Sequence, residues 1–166
     1  MLVAGIGNVF LGDDAFGVEV VKKLEQTTFP SGVNVVEFGI RGMDLVYALG
    51  DGYDAAILVD AAPRNAEPGT IDVIEVDDDT FEGVTIEGHG MHPSQAIALA
   101  RQIGSIPPRL IVVACEPAAI PSPDEICEGL SAPVAAAVDR AATLVIELVE
   151  DLRKSQQPHP EEVTFT

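Results

Sequence analysis

The strongest constraint on the fold is a set of continuous apolar runs, namely MLVAGIG at 1–7, AAILVDAAP at 55–63 and PPRLIVVAC at 107–115. Each run has the length of one strand and is too short to span a membrane. Because these runs do not alternate with polar residues, they predict strands that are buried on both faces. A sheet of such strands needs a helical layer on each side, which predicts an α/β fold.

Helical spacing separates the apolar runs. From Asp14 to about Gln26, Phe16, Val20 and Leu24 recur every four residues, and Asp13 or Asp14 is expected to cap this helix. Further helices are predicted at GMDLVYAL (42–49), PSQAIALARQIG (93–104) and from 134 to 152. VNVVEFG (33–39) is expected to be the second strand, and the alternating IDVIEV (71–76) a half-exposed edge strand.

This alternation of strands and helices predicts a three-layer α/β fold, with a twisted, mostly parallel sheet flanked by helices. We expect one domain at residues 1–153 and a flexible tail at 154–166.

The charge and cysteine content narrow the possible functions. The formal net charge is −18 with only nine Lys and Arg residues, which disfavours binding to nucleic acid or to an anionic membrane. The acidity serves solubility or attracts a basic partner or a cation. Two cysteines do not make a disulfide framework, and neither a secretory signal nor a membrane span is recognisable. We therefore expect a cytoplasmic protein with reduced thiols.

Polar residues gather where the predicted strands end, and ligands of open α/β sheets bind at that edge. These residues are Asn8, Asp13, Asp14, Asp60, His89, His92, Cys115 and Glu116. Three kinds of site remain open on this evidence: a nucleotide site, a metal site and a thiol nucleophile.

Each kind of site has a specific argument. GIGNVF lacks the third glycine of the dinucleotide fingerprint, and the acidic pair would repel a pyrophosphate. Asp14, Asp60 and His89 would suit zinc, nickel, cobalt or manganese and leave coordination positions open, although each also has an ordinary structural role available. Cys115 with a nearby histidine would be the nucleophile, but no nucleophile elbow surrounds it.

The segment GIGNVFLGDDAFG at 5–17 resembles the N-terminal motif of the [NiFe]-hydrogenase maturation endopeptidases. That motif is G-x-G-N followed by a short apolar stretch, an acidic pair and a glycine. Later segments resemble the family in the same order, over about residues 1–152: GIRGMDL, ILVDAA, HGMHP, ACEPAAIP and GLSAPV. The resemblance implies a phosphorylase/hydrolase-like fold. It also implies an endopeptidase that removes a C-terminal extension from the hydrogenase large-subunit precursor after nickel insertion.

The resemblance also implies roles for particular residues. Asp14, Asp60 and His89 would be the catalytic, metal-contacting side chains, with Asp14 standing where the family has Glu or Asp. His89 is preferred to His92 because its distance to LARQIG fits the family spacing. The residues implied to line the substrate cleft are Gly39, Arg41, Gly42 and Asp44.

Nickel is expected to arrive with the substrate, and other divalent metals to substitute for it in the isolated protein. Attack by a metal-activated water and an aspartate acting as base are both open routes, so the peptidase is expected to be aspartic-type or metal-dependent. The expected partner is the large-subunit precursor, with no nucleic acid and no membrane, and the protein is expected to be a monomer. The rival functions are a nickel- or precursor-binding chaperone and a related peptidase with another substrate.

Overall fold

The computed structural model describes residues 1–85 and 92–156. Its strands are β1 (Leu2–Ile6), β2 (Asn34–Gly39), β3 (Ala55–Ala61), β4 (Ile71–Val76) and β5 (Arg109–Cys115). They form one sheet in the order β2-β1-β3-β5-β4, in which only β4 is antiparallel to its neighbour among the described strands. The mostly parallel sheet that the apolar runs predict is therefore confirmed.

Helices cover both faces of this sheet. They are α1 (Phe16–Leu24), α2 (Gly42–Leu49), α3 (Pro93–Ile103) and α4 (Ala132–Gln156). Along β3, Ile57 and Val59 pack in the layer of α1 and α4, whereas Ala56 and Leu58 pack in the layer of α2 and α3. Both faces of the strand are buried, which explains its continuous apolar run and confirms the three-layer α/β class. Among the described residues, no helix combines the length and the hydrophobicity that a membrane span requires.

Two helices, α1 and α4, have bounds that differ from the sequence-based expectation. The first helix is preceded by a separate 3-10 turn at Gly12–Ala15, and α1 ends at Leu24 rather than near Gln26. At the other end of the chain α4 runs from Ala132 to Gln156 and so extends beyond the expected 134–152 at both ends. Residues 157–166 lie outside the described part of the chain.

Gly17 places α1 directly on the sheet. A β-carbon added there would lie 2.0 Å from the carbonyl oxygen of Val59 and 2.4 Å from that of Ile6. Only glycine permits so close an approach of the helix to β1 and β3. The chain therefore has a close-packing glycine, but it lies inside α1 rather than at the third position of a dinucleotide fingerprint. This packing fixes the 3-10 turn over the ends of the strands.

Candidate active site

A cleft of about 270 Å³ lies at the carboxyl ends of the parallel strands. The residues that line it come from several strand-end loops and from the position immediately before α3. They are Ile6, Gly7, Asn8, Leu11, Asp14, Gly39, Ile40, Asp60, His92, Ile120, Pro121 and Pro123. The structure thus brings Asp14 and Asp60 together at one edge of the sheet, as parallel strand ends should.

The two acids of the acidic pair have different environments. Asp13 is 2% exposed and accepts hydrogen bonds from the Ala118 N–H (2.8 Å), the Ser131 N–H (2.7 Å) and the Ser131 hydroxyl (2.8 Å). Asp14 is half-buried, lines the cleft and accepts a hydrogen bond from the Asn8 N–H at 2.9 Å. Asp13 therefore fastens the loop of residues 116–131 to the 3-10 turn, and Asp14 faces the cleft.

The expected helix cap at Asp13 or Asp14 was wrong. Neither the 3-10 turn nor α1 has a side-chain hydrogen bond at its N-terminal cap. The physical reason is that the oxygens of both carboxylates already accept hydrogen bonds from backbone groups elsewhere. Sequence reasoning missed the Asp13 anchor because its partners lie more than 100 residues away, and nothing in the local sequence marks them.

Gly7 sets the position of Asp14. Its φ is +138°, a backbone conformation that residues other than glycine rarely adopt, and a β-carbon there would lie 1.8 Å from the Asp14 carbonyl oxygen. Its N–H donates a hydrogen bond of 3.1 Å to the Gly39 carbonyl. The glycine motif therefore lets the end of β1 contact both the end of β2 and the turn that carries Asp14.

Burial raises the pKa of both carboxyl groups that line the cleft. Asp60 is only 3% exposed, and burial raises its pKa well above the usual range, with the negative charge of Asp14 adding to the effect and a bond from the Ala61 N–H opposing it. Burial also raises the pKa of Asp14, while the Asn8 N–H bond and the charge of His92 oppose this. A cation in the cleft would stabilise both carboxylates in their charged form.

Of the two candidate histidines, only His92 lies within the described residues. His89 lies outside the described residues. His92 immediately precedes α3, lines the cleft beside Asp60, and donates its backbone N–H to Gln95 Oε1 at 3.2 Å. Asp60 follows Leu58 on the face of β3 that α3 covers, so the start of α3 lies near Asp60.

A complete metal site is not formed by the described side chains alone. Within residues 1–85 and 92–156, no group of three His, Cys, Asp or Glu side chains is arranged to hold a metal ion. Asp14 and Asp60 offer carboxylate oxygens, which suit a divalent ion, and the remaining donors must come from elsewhere.

The four residues predicted to line the substrate cleft are placed differently. Gly39 lines it, with Ile40 beside it. Arg41 donates hydrogen bonds to the carbonyls of Phe38 (3.2 Å) and Glu37, and pairs with Asp44 at 3.2 Å. Arg41 therefore joins the end of β2 to the first turn of α2, which begins at Gly42. Arg41, Gly42 and Asp44 stand next to the cleft rather than in its wall, and their contact with a substrate stays a prediction.

Cys115 does not have the environment of a nucleophile. Its side chain packs in the layer of α1 and α4, away from the cleft. Burial, followed by the charge of Asp13, raises the pKa of its thiol to about 11. A nucleophilic cysteine needs the opposite, an exposed thiol with a lowered pKa. Glu116, the other polar residue at this strand end, accepts a hydrogen bond from the Arg64 N–H at 2.6 Å and so fixes the loop between β3 and β4.

The loop after β5 supplies cleft residues to which the sequence assigned no role. Ile120, Pro121 and Pro123 line the cleft. The resemblance includes ACEPAAIP at 114–121, but the place of these side chains in the cleft depends on tertiary contacts such as the Asp13 anchor.

Comparisons with known proteins are consistent with one another. Residues 18–148 match the HycI family model, described as hydrogenase maturation protease. The chain is 34% identical over 148 residues to a putative hydrogenase maturation protease of Methanocaldococcus jannaschii, covering 88% of this chain and 94% of that protein. It is 32% identical to the coenzyme F420 hydrogenase subunit delta of Methanothermobacter thermautotrophicus, covering 89% and 92%. The solved structure of the hydrogenase maturating endopeptidase HybD from E. coli is similar, with a TM-score of 0.75, 28% identity, and coverage of 90% of this chain and 91% of that one.

Proposed function

Because the chain belongs to the hydrogenase maturation protease family, we propose that it removes the C-terminal extension of a [NiFe]-hydrogenase large-subunit precursor after nickel insertion. The observation that carries the proposal is the pairing of Asp14 and Asp60 in one cleft at the strand ends. Two buried or half-buried carboxylates with raised pKa values, and no basic side chain among the cleft's described lining apart from His92, form a site that a cation would stabilise.

Nickel enters this cleft as part of the substrate. The carboxylates of Asp14 and Asp60 would contact it, and His89, predicted from the sequence, would add an imidazole. This donor set suits a borderline divalent ion. The ion would arrive with ligands from the precursor, which would complete its coordination. Recognition of nickel would therefore depend on the precursor's own ligands as well as on this chain.

The chain's own residues would then hold the scissile segment. When present, nickel would polarise the peptide carbonyl, which favours attack by water. Asp14 and Asp60 would hold the ion at the end of the sheet, and Gly39 and Ile40 would contact the peptide at the wall of the cleft. We propose Arg41, Gly42 and Asp44 as contacts for the precursor beyond the cleft. The cytoplasmic location and the monomeric state stay predictions from the sequence.

Mass spectrometry of a precursor incubated with this protein, with and without nickel loaded, tests the proposal. We expect loss of a C-terminal peptide from the nickel-loaded form only. Asp14→Ala should abolish this cleavage, whereas Glu150→Ala, which removes an exposed acid of α4 far from the cleft, should leave it intact. Cleavage of both precursor forms would contradict nickel recognition. Binding without any change in mass would indicate a chaperone rather than a peptidase.

A further inference from the structure

Three loops that bound the cleft each expose a large apolar side chain. Phe10, after β1, is 53% exposed; Ile40, after β2, is 71% exposed; and Ile126, after β5, is 77% exposed. We call these three residues the apolar rim. Single exposed apolar residues are ordinary on protein surfaces, but several around one cleft mark an interaction site.

The backbone holds the rim in place. The Cys127 N–H donates to the Phe10 carbonyl at 2.8 Å, and the Gly12 N–H donates to the Cys127 carbonyl at 2.6 Å. Leu11 and Cys127 form a parallel bridge, and Phe10 and Ile126 each immediately precede one of these bridged residues. Because the Asp13 anchor also fastens this loop, the two side chains are presented on fixed backbone, which lowers the entropic cost of binding.

The charge around the rim indicates the chemistry of its partner. Asp124, Glu125 and Glu128, close to Ile126 in sequence, are all exposed, and the chain carries a net charge of −18. The cation nearest Ile40 in sequence, Arg41, is already bonded to the carbonyls of Phe38 and Glu37. A complementary surface would therefore be apolar at its centre and flanked by Lys or Arg.

We infer that the apolar rim docks the protein substrate of the proposed function, on which this inference rests. The surface it takes is an apolar patch, flanked by basic residues, next to the scissile segment of the folded precursor. Docking and chemistry are then separated: the rim binds the body of the precursor, and the carboxylates in the cleft meet its metal. A free peptide copied from the C-terminal extension lacks this patch and is a poor substrate.

The test compares exposed apolar residues at the cleft with one at the opposite end of the strands. Ile126→Ser and Phe10→Ser remove rim side chains. Ile103→Ser is the matched control, because Ile103 is 58% exposed at the far end of α3, whose other end lies at the cleft. We measure binding of nickel-loaded precursor by biolayer interferometry, single-turnover cleavage at saturating enzyme, and thermal melting.

Each rim substitution should weaken precursor binding about tenfold or more, as expected for an apolar anchor. Cleavage at saturating enzyme and the melting temperature should be unchanged, Ile103→Ser should behave as wild type, and wild-type binding should weaken at high salt. Wild-type binding by both rim variants, or an equal loss with Ile103→Ser, would overturn the inference. Wild-type protein that binds the precursor but never cuts it would refute the proposed peptidase activity. In that case the binding of the rim variants would still test the docking surface. Failure of wild type to bind the precursor would overturn this choice of partner.

Discussion

Replacing Asp13 with Ala should destabilise the protein strongly, although the residue lies beside a proposed catalytic acid. The substitution removes an acceptor of three hydrogen bonds and leaves the N–H groups of Ala118 and Ser131 without that partner. A hydrogen bond to a charged group contributes roughly 1.5–3 kcal/mol, but the three bonds share one carboxylate and do not add. Taking less than the sum of the three bonds, we expect a loss of about 3–5 kcal/mol in the free energy of unfolding.

Urea unfolding followed by circular dichroism measures this loss. Asp13→Asn keeps the shape and one acceptor oxygen, so its cost should be smaller than that of Asp13→Ala. The exposed Asp124→Ala is the control and should stay within about 0.5 kcal/mol of wild type. Hydrogen exchange should also show faster exchange in residues 116–131 of the Asp13→Ala variant. A loss below about 1 kcal/mol for Asp13→Ala would refute the view that this carboxylate anchors the loop.

Two further predictions concern packing and thiol chemistry. Gly17→Ala should lower the free energy of unfolding by about 2 kcal/mol or more, because the added β-carbon has no room against the backbone of β1 and β3. Gly104→Ala is the control and should be nearly neutral, because nothing lies within 4 Å of its added β-carbon. Equal melting temperatures for the two variants would contradict this packing. Iodoacetamide at pH 8 should label the exposed Cys127 and spare Cys115, whose buried thiol has its pKa raised to about 11, and mass spectrometry of a Cys127→Ser variant should find almost no label. Since the unfolded thiol has a pKa of about 8.5, stability should fall as the pH rises from there toward 11, and Cys115→Ala should make that fall shallower.

The layered architecture was accessible from sequence because its signals are local. Continuous apolar runs correctly placed β1, β3 and β5, and helical spacing placed α2 and α3 at their observed positions. The alternating residues 71–76 form the half-buried edge strand that was expected. In each case the side chains of one short segment report directly which of its faces are buried.

The arrangement of the site was only partly accessible because it depends on tertiary contacts. Because Asp14 and Asp60 belong to strand ends of a mostly parallel sheet, they were expected at one edge of it, and both line the cleft there. The role of Asp13 as the anchor of the loop after β5 was not predictable, since nothing in the sequence around Ala118 and Ser131 indicates that they bond to it. The role of Gly17 was missed for the same reason: its closest contact is with β3, more than 40 residues away.

The neighbouring acids Asp13 and Asp14 cannot exchange roles. In a 3-10 turn consecutive side chains point about 120° apart, so one carboxylate can face inward while the next faces the cleft. The inward acid holds the loop that supplies Ile120 and Pro121 to the opposite wall, and the outward acid faces the proposed metal. The same turn therefore positions both walls of the cleft. Any shift of this turn would move the candidate metal ligand and the loop carrying Ile126 together, which couples the cleft to the rim.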